Sequence, residues 1–94
     1  MSECWYVYIL QCADESLYCG ASKDVHRRLG QHNSGRGAAY TRSRKPCRLM
    51  GYWRYPCCED AMVAEYHFKQ LSRDEKLRAL SDKAWRDGLW CGQT

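Results

Sequence analysis

The sequence predicts a small α/β (α+β) domain in which a three-stranded, mainly antiparallel sheet is flanked by helices, in the order β-β-α-β-α-α. Two stretches rich in aromatic and β-branched residues, 5–12 and 48–55, are typical of buried strands, and other segments show helical periodicity with capping residues. The 94 residues are expected to form a single domain, residues 1–94, with one modest core.

A β-hairpin is predicted near the start of the chain. Residues 5–12 (WYVYILQC) contain no Gly or Pro, residues 13–16 are polar and turn-like, and residues 17–21 (LYCGA) form a second short strand. Gly20 inside that strand suggests a bend or a close approach of another group to the backbone. The third strand, residues 48–55 (RLMGYWRY), ends before a proline.

Three helices are expected. Ser22 or Asp24 caps the first, which ends near an Asn-Ser-Gly segment that suits a left-handed C-terminal position. The second covers residues 59–71, and the third begins with a capping box made of Ser72 and Glu75. The positions expected to face the core are Val25 and Leu29 in the first helix, Ala61, Ala64, Phe68 and Leu71 in the second, and Leu77, Leu80, Ala84 and Trp85 in the third, which Gly88 is expected to end.

Positive charge is concentrated in one part of the chain. The whole sequence has a formal net charge of +4, but residues 23–48 hold eight Lys or Arg residues against Asp24 and carry +7, which leaves −3 for the remainder. Residues 34–46 (SGRGAAYTRSRKP) of this block are predicted to form a Gly- and Arg-rich loop. Such a block suits a polyanion such as DNA or RNA, while a solvated basic loop without a partner is the common alternative.

The seven cysteines predict reduced thiols. Because their number is odd and no C-x-x-C pair is present, free thiols packed mostly in the core are favoured over a disulfide framework, with a cysteine-based zinc site as the minor alternative. The longest apolar run, residues 4–10, is too short to span a bilayer and does not resemble a secretory signal. We therefore expect a cytoplasmic protein with no membrane partner.

Glu65 lies on the apolar stripe of the second helix, between Ala64 and Phe68. A buried carboxylate is costly unless it is paired or binds a metal. Two interpretations are open: an ion pair with Lys69 four residues later, or a metal ligand at the border between core and cleft.

Arg28 and His32 share one face of the first helix because they are four residues apart. Rotation by about 100° per residue places both at the rim of the buried Val25/Leu29 stripe, a position that suits residues lining a cleft. Arg27 points more toward solvent. A solvated arginine and a surface histidine are the ordinary alternative.

Tyr8 and Tyr18 lie on the same sheet face if the hairpin pairs even-numbered residues with even-numbered ones. Ordinary aromatic packing explains each of them taken singly.

The five side chains are more specific as a set. Tyr6-Val7-Tyr8 and Tyr18-Cys19-Gly20 in successive strands, followed by Arg28, His32 and Glu65 on helices, resemble the GIY-YIG nuclease superfamily. The resemblance covers about residues 5–76 and is strongest in the stretches 27–42 (RRLGQHNSGRGAAYTR) and 64–73 (AEYHFKQLSR). The chain is most similar to small stand-alone bacterial members, relatives of the nuclease domains of the UvrC excinuclease and of Slx-type structure-specific endonucleases.

Several positions depart from the family pattern. Tyr6 and Val7 stand where the family name has Gly and Ile, and Cys19 replaces a second Ile; all three are packing positions. Ala21 stands where some relatives have a lysine in the catalytic site, so that one charge-stabilising group is missing. No appended DNA-binding domain is visible, and we expect the basic loop, a partner protein or a homo-oligomer to select the substrate.

The resemblance implies a metal-dependent endonuclease that hydrolyses DNA phosphodiester bonds, structure-selective and active in DNA repair or recombination. Glu65 would bind Mg²⁺ or Mn²⁺, and Arg28 would hold the non-bridging phosphate oxygens. Tyr8 or Tyr18, aided by His32, would position or deprotonate the attacking water; which tyrosine does so stays open. The expected contacts to DNA or RNA are Arg27, Arg36, Tyr40, Arg42, Arg44 and Lys45, with Tyr40 stacking on an unpaired base.

Two other classes of function are kept as alternatives. A non-catalytic nucleic-acid-binding module on the same fold would bind without cleaving. A structural or interaction protein would use its positive block for solubility, and its five candidate side chains would not converge on one place.

Overall fold

The computed structural model describes residues 4–81 and 88–92 of the chain. Its elements in chain order are β1 (Trp5–Gln11), β2 (Leu17–Ser22), α1 (Val25–Asn33), α2 (Ala39–Arg42), β3 (Arg48–Tyr55), α3 (Cys58–Lys69), α4 (Arg73–Ser81) and β4 (Leu89–Gly92). The predicted α+β class and the order β-β-α-β-α-α are confirmed. Two short elements, α2 and β4, are added to the predicted set.

The described strands form an antiparallel sheet in the order β2-β1-β3-β4. β1 is central and pairs with both β2 and β3, so that the three predicted strands are neighbours. β4 extends the sheet beyond β3. Four residues are too few to show a strand pattern, and Gly88, expected to end a helix, is instead a buried residue directly before β4.

The β1–β2 hairpin has the register that brings the two candidate tyrosines to one face. Tyr8 stands opposite Gly20, and Leu10 stands opposite Tyr18. A β-bulge between Ile9 and Leu10 shifts the pairing of β1 with β3 by one residue. Both tyrosines therefore face the side of the sheet on which α1 packs.

Each face of the sheet has its own core. On one face, α3 buries Ala61, Ala64 and Phe68 as predicted, against the odd-numbered residues of β1. On the other face, α1 buries Val25 against the even-numbered residues of β1. The central strand is therefore covered on both sides, and alternate residues of one strand serve two different clusters.

The helix ends follow the predicted capping chemistry. Asp24, and not Ser22, caps α1 by accepting a hydrogen bond from the backbone N–H of Arg27 at 3.0 Å. Ser72 and Glu75 exchange the two hydrogen bonds of a capping box at the start of α4, at 2.8 and 3.2 Å.

The last helix differs from its prediction. Leu77, expected to face the core, is 39% exposed, whereas Ala79 is buried and Leu80 is partly buried. α4 thus packs through a short side chain against the cluster beneath α3. The predicted core positions Ala84 and Trp85 lie outside the described residues.

The cysteines whose side chains the structure describes are free thiols. They are Cys12, Cys19 and Cys47, which are buried, and Cys4, Cys57 and Cys58, which are partly buried. Within residues 4–81 and 88–92, no cluster of three or more His, Cys, Asp or Glu side chains is arranged to hold a metal, so that the zinc alternative finds no support there. None of the helices in this part of the chain is long and apolar enough to span a bilayer.

Candidate active site

Tyr8 lies at the centre of the site, in the middle of β1, and is 1% exposed. Its ring packs directly on the backbone of Gly20 in β2. A Cβ atom at position 20 would lie 2.6 Å from Cζ of Tyr8 and would collide with the hydroxyl group, so only glycine fits there. This is the close approach that the sequence predicts for position 20. The phenol oxygen of Tyr8 is 3.0 Å from Nε2 of His32.

His32 is completely buried, which corrects its expected place at the rim of α1. Its Nδ1 is 2.7 Å from Oγ1 of Thr41, and a Cβ atom at position 37, now glycine, would collide with the imidazole ring. The segment 34–46, predicted to be a loop, contains α2 and lies over the histidine. Helical periodicity gives the side of a helix on which a residue lies, but not what a later segment packs against it.

Arg28 is partly buried at the rim of α1, as predicted, whereas its neighbour Arg27 is exposed. Its Nη1 donates a hydrogen bond to Oε1 of Gln31 at 2.7 Å, which orients the guanidinium group. Arg28 also acts on the Tyr8 phenol, where its positive charge opposes the rise in pKa that burial causes.

Tyr18 is partly buried next to His32, and the centroids of the two rings are 5.2 Å apart. Burial raises the pKa of Tyr18, and the charges of Lys69 and Arg28 oppose that rise. The negative charge of Glu65 raises the pKa of Tyr18 further, so charged residues of both α1 and α3 influence this phenol.

Glu65 approaches the site from α3. Its side chain is 19% exposed, and its Oε2 is 3.4 Å from Nζ of Lys69. The predicted ion pair is therefore present. Burial and, after it, the Glu65 carboxylate raise the pKa of Cys19, which places the negative charge next to β2. Glu65 is therefore paired with Lys69 and also close enough to Tyr18 for its charge to act on that phenol, which suits both interpretations of the residue.

Burial sets the protonation states of the central pair. Burial raises the pKa of Tyr8 to about 12, and burial together with the positive charge of Arg28 lowers the pKa of His32. At neutral pH the pair therefore consists of a protonated phenol facing a neutral imidazole. A hydrogen-bonded proton donor and proton acceptor are thus held together in the interior.

The basic side chains of the segment 34–46 fall into two groups. Arg36, Arg42 and Lys45 are exposed, as contacts with phosphate groups require. Arg44 instead forms an ion pair with Asp14 at 3.0 Å, and its guanidinium carbon lies 4.0 Å from the ring centroid of Tyr40. Its charge is partly used to hold this segment against the β1–β2 turn.

Tyr40 is also engaged within the protein. Its ring stacks on that of Tyr18, with centroids 5.7 Å apart, while Arg44 donates a hydrogen bond to its carbonyl oxygen at 2.9 Å. Stacking of Tyr40 on an unpaired base would require one of these contacts to open, and this role stays a prediction.

Thr41, Gly37 and Asn33 are structural parts of the site that the sequence does not single out. Asn33 closes the base of the covering segment by donating a hydrogen bond to the carbonyl of Cys47 at 2.9 Å and accepting one from its backbone N–H at 2.6 Å. All three lie in the stretch 27–42 of the family resemblance, which is the signal that marks them. Their partners are distant in the chain, and no local pattern reveals such contacts.

Glu65 is the side chain that could bind a divalent cation. A carboxylate oxygen is a hard ligand, and Mg²⁺ keeps several of its waters and needs only one or two carboxylates from the protein. The partly exposed Glu65 fits such an ion as a single-ligand site, provided that Lys69 releases the carboxylate.

Four of the five candidate residues, Tyr8, Tyr18, Arg28 and His32, lie together on the α1 face of the sheet. Glu65 belongs to α3, and its charge acts on Tyr18. A family model described as the GIY-YIG catalytic domain matches residues 4–78. The chain belongs to the GIY-YIG family. Its domain is therefore a nuclease-family domain.

Relatives of this GIY-YIG domain share most of its length. The UPF0213 protein BH0048 of Halalkalibacterium halodurans is 51% identical over 78 residues, which cover 83% of each chain, and a UPF0213 protein of Nitratidesulfovibrio vulgaris is 47% identical over 79 residues, which cover 84% of this chain and 72% of the relative. The solution NMR structure of BH0048 has a TM-score of 0.55 over 83% of both chains at 50% identity. That of EF2693 from E. faecalis has a TM-score of 0.59 at 38% identity, over 86% of this chain and 88% of the other. These names state no activity.

We predict that the two close-packed glycines are required where a third is not. Gly20→Ala and Gly37→Ala would force the new methyl groups into Tyr8 and His32, and each should lower the free energy of unfolding by about 1–3 kcal/mol. Gly30→Ala is the matched control, because it is an exposed α1 residue with open space around it, and should raise that free energy by about 0.4–1 kcal/mol. Urea unfolding measures all three, and equal effects at positions 20 and 30 would contradict the packing described.

We also predict a pH dependence from His32. Its pKa is held below the ordinary 6.5, chiefly by burial, so between the two pKa values the unfolded chain binds more protons than the folded one. His32 should therefore contribute to a loss of stability as the pH falls through about 6.5 toward its folded pKa. NMR titration of the ring measures that pKa directly, and Arg28→Met should raise it. A His32 pKa at or above the ordinary value would contradict the buried, neutral state.

Proposed function

We propose that this protein is a metal-dependent endonuclease that hydrolyses phosphodiester bonds in DNA, selects its substrate by structure, and acts in DNA repair or recombination in the cytoplasm. The observation that supports the proposal best is the grouping of a hydrogen-bonded Tyr–His pair, a second tyrosine and an arginine on a GIY-YIG domain, with the Glu65 carboxylate acting on the second tyrosine from α3. Phosphodiester hydrolysis needs an activated water and stabilisation of the negative charge that develops on phosphorus oxygens, and these residue types supply both.

Arg28 is proposed to hold the non-bridging oxygens of the scissile phosphate. Its planar guanidinium can donate two parallel hydrogen bonds, which the point charge of a lysine cannot do. Gln31 already holds one nitrogen of this group at 2.7 Å, so less side-chain freedom is lost when a phosphate binds.

Tyr8 is proposed as the phenol that takes the proton of the attacking water. With a pKa near 12 it must itself lose a proton, and His32 is hydrogen bonded to it and neutral. Because Tyr8 is 1% exposed, it reaches the nucleophile through an intervening water. Tyr18, partly buried and closer to the charge of Glu65, orients the nucleophile.

Glu65 is proposed to hold one Mg²⁺ or Mn²⁺, with water completing the coordination. When bound, the ion supplies positive charge that stabilises the leaving 3′ oxygen. The carboxylate exchanges its ion pair with Lys69 for this role, and the freed ammonium group adds positive charge on the same side of the site.

The substrate is proposed to lie along the exposed cations Arg27, Arg36, Arg42 and Lys45. Contacts to phosphate position a nucleic acid without reading its sequence, which favours selection by structure over selection by base sequence. RNA would satisfy the same contacts. A partner protein or a homo-oligomer remains part of the proposal as a second source of selectivity.

The direct test incubates the purified protein with Mg²⁺ or Mn²⁺ and a panel of plasmid, branched and single-stranded DNA. Glu65→Gln and Arg28→Lys should each slow cleavage by about 100-fold or more, because each removes charge stabilisation in the transition state. Glu59→Gln on the same helix and Arg78→Ala on α4 are the matched controls and should cut as the wild type does. Cleavage that survives both site variants would show that a contaminant is responsible.

The alternative is a nucleic-acid-binding module without catalysis, favoured by the three exposed cations of the segment 34–46. It predicts tight, salt-sensitive binding and no cleavage of any substrate in the panel.

Binding can be measured on the Glu65→Gln variant as a function of salt. Replacing Arg36 and Arg42 by Ala should reduce the slope of log K against log salt by about 0.9 for each phosphate group that the variant no longer neutralises. Arg78→Ala should leave that slope unchanged. An unchanged slope in the loop variant would remove this segment from the binding surface.

A further inference from the structure

A continuous line of buried hydrogen bonds runs from β1 into the segment that covers the site. The Tyr8 hydroxyl is 3.0 Å from Nε2 of His32, Nδ1 of the same ring is 2.7 Å from Oγ1 of Thr41, and that hydroxyl donates to the carbonyl of Ala38 at 3.0 Å. Both His32 and Thr41 have 0% exposure. Each ring nitrogen of His32 therefore has one hydrogen-bond partner, Tyr8 or Thr41, in a position that bulk water does not reach.

The direction of these hydrogen bonds follows from counting protons. A threonine hydroxyl has a single proton, and because that proton goes to Ala38, the Oγ1 atom accepts the hydrogen bond from His32. Nδ1 of His32 then carries the ring proton, and Nε2 of the neutral ring is left as an acceptor.

The direction at the other end of the line follows from this assignment. With Nε2 as the acceptor, the hydroxyl group of Tyr8 is the donor in the 3.0 Å hydrogen bond to His32.

We propose that Thr41 is a positioning residue that holds His32 in the tautomer protonated on Nδ1, so that Nε2 stays free to receive the proton of Tyr8. The inference rests on the proposed nuclease function and extends it to a residue outside the five. The side-chain hydroxyl of Thr41 is hydrogen bonded to His32 and Ala38, so Thr41 acts on the reaction only through the histidine.

The proton movement is balanced. When Tyr8 takes a proton from water, its own proton passes to Nε2 of His32 and leaves an imidazolium ion whose Nδ1–H still donates to Thr41. The hydroxide formed attacks phosphorus, and the bond from phosphorus to the leaving 3′ oxygen breaks. Tyr8 then passes the proton that it took from water, through an intervening water, to the leaving oxygen, while the proton on His32 returns to Tyr8. Overall one water is consumed, the leaving oxygen gains a proton, and Tyr8 and His32 end in the states in which they began.

The short helix α2 explains how Thr41 reaches this position. Ala38 is its N-cap, and the carbonyl of Ala38 accepts the backbone N–H of Thr41 at 3.1 Å as well as the side-chain hydroxyl. The hydroxyl is thus anchored to its own helical turn. Gly37, directly before the cap, allows the turn to lie against the imidazole ring.

The first test is spectroscopic and needs no substrate. In ¹⁵N-labelled wild-type protein at neutral pH, a protonated and an unprotonated ring nitrogen of histidine give well separated ¹⁵N resonances. We expect Nδ1 of His32 to be the protonated nitrogen. A proton on Nε2 instead would overturn the inference, and this result does not depend on how any variant folds.

The second test compares Thr41→Val with Thr41→Ser. Valine removes the acceptor, so the ring should lose its Nδ1–H preference and cleavage should slow by about 10- to 100-fold, as is typical for loss of an outer partner of a functional histidine. Serine keeps the hydroxyl and should restore both the tautomer and most of the rate. Wild-type cleavage by Thr41→Val, or a serine variant as slow as the valine variant, would overturn the inference.

The outcomes separate this inference from the nuclease proposal. Nδ1 protonation in a protein that cleaves none of the substrates would retain the tautomer assignment but remove its catalytic role along with the proposed function. Cleavage that depends on Arg28 and Glu65 but not on Thr41 would keep the nuclease and reject Thr41.

Discussion

The hydrogen bond between Tyr8 and His32 is the constraint on which the rest of the site depends. It joins the central strand to α1 in the interior, where an unpaired phenol or imidazole would cost about 1–3 kcal/mol each. The surrounding structure is built to keep it. Gly20 provides room for the phenol, and Gly37 provides room for the imidazole. Thr41 hydrogen bonds to Nδ1, the ring nitrogen of His32 that does not contact Tyr8.

This arrangement explains why the covering segment 34–46 belongs to the site and is more than a basic loop. Arg44 and Asp14 tie it to the β1–β2 turn, and Asn33 ties its end to Cys47. The segment excludes water from His32 on its inner side and presents exposed cations on its outer side. In the proposed function, this one piece of chain would both support proton transfer at His32 and contact a polyanion, which links the charge block of the sequence to the buried histidine.

The sequence predicts best what depends on local chemistry. The strands, the capping box of Ser72 and Glu75, and the rim position of Arg28 all follow from patterns within a few residues. The burial of His32 could not be predicted, because it depends on the tertiary packing of the segment 34–46 against α1. The four-residue strand β4 and the buried side of α4 could not be predicted for a similar reason. Their placement depends on the tertiary contacts of Gly88 and Ala79, and not on hydrophobic periodicity.

The central claim is that Tyr8 and His32 act as one unit in proton transfer. A double-mutant cycle with Tyr8→Phe and His32→Gln tests it most directly, read out as the single-turnover rate of DNA cleavage. If the two side chains form one relay, removing either should cost about as much as removing both, and the double variant should be no slower than the slower single variant. Losses that multiply in the double variant would show two independent roles and would contradict this account of the site.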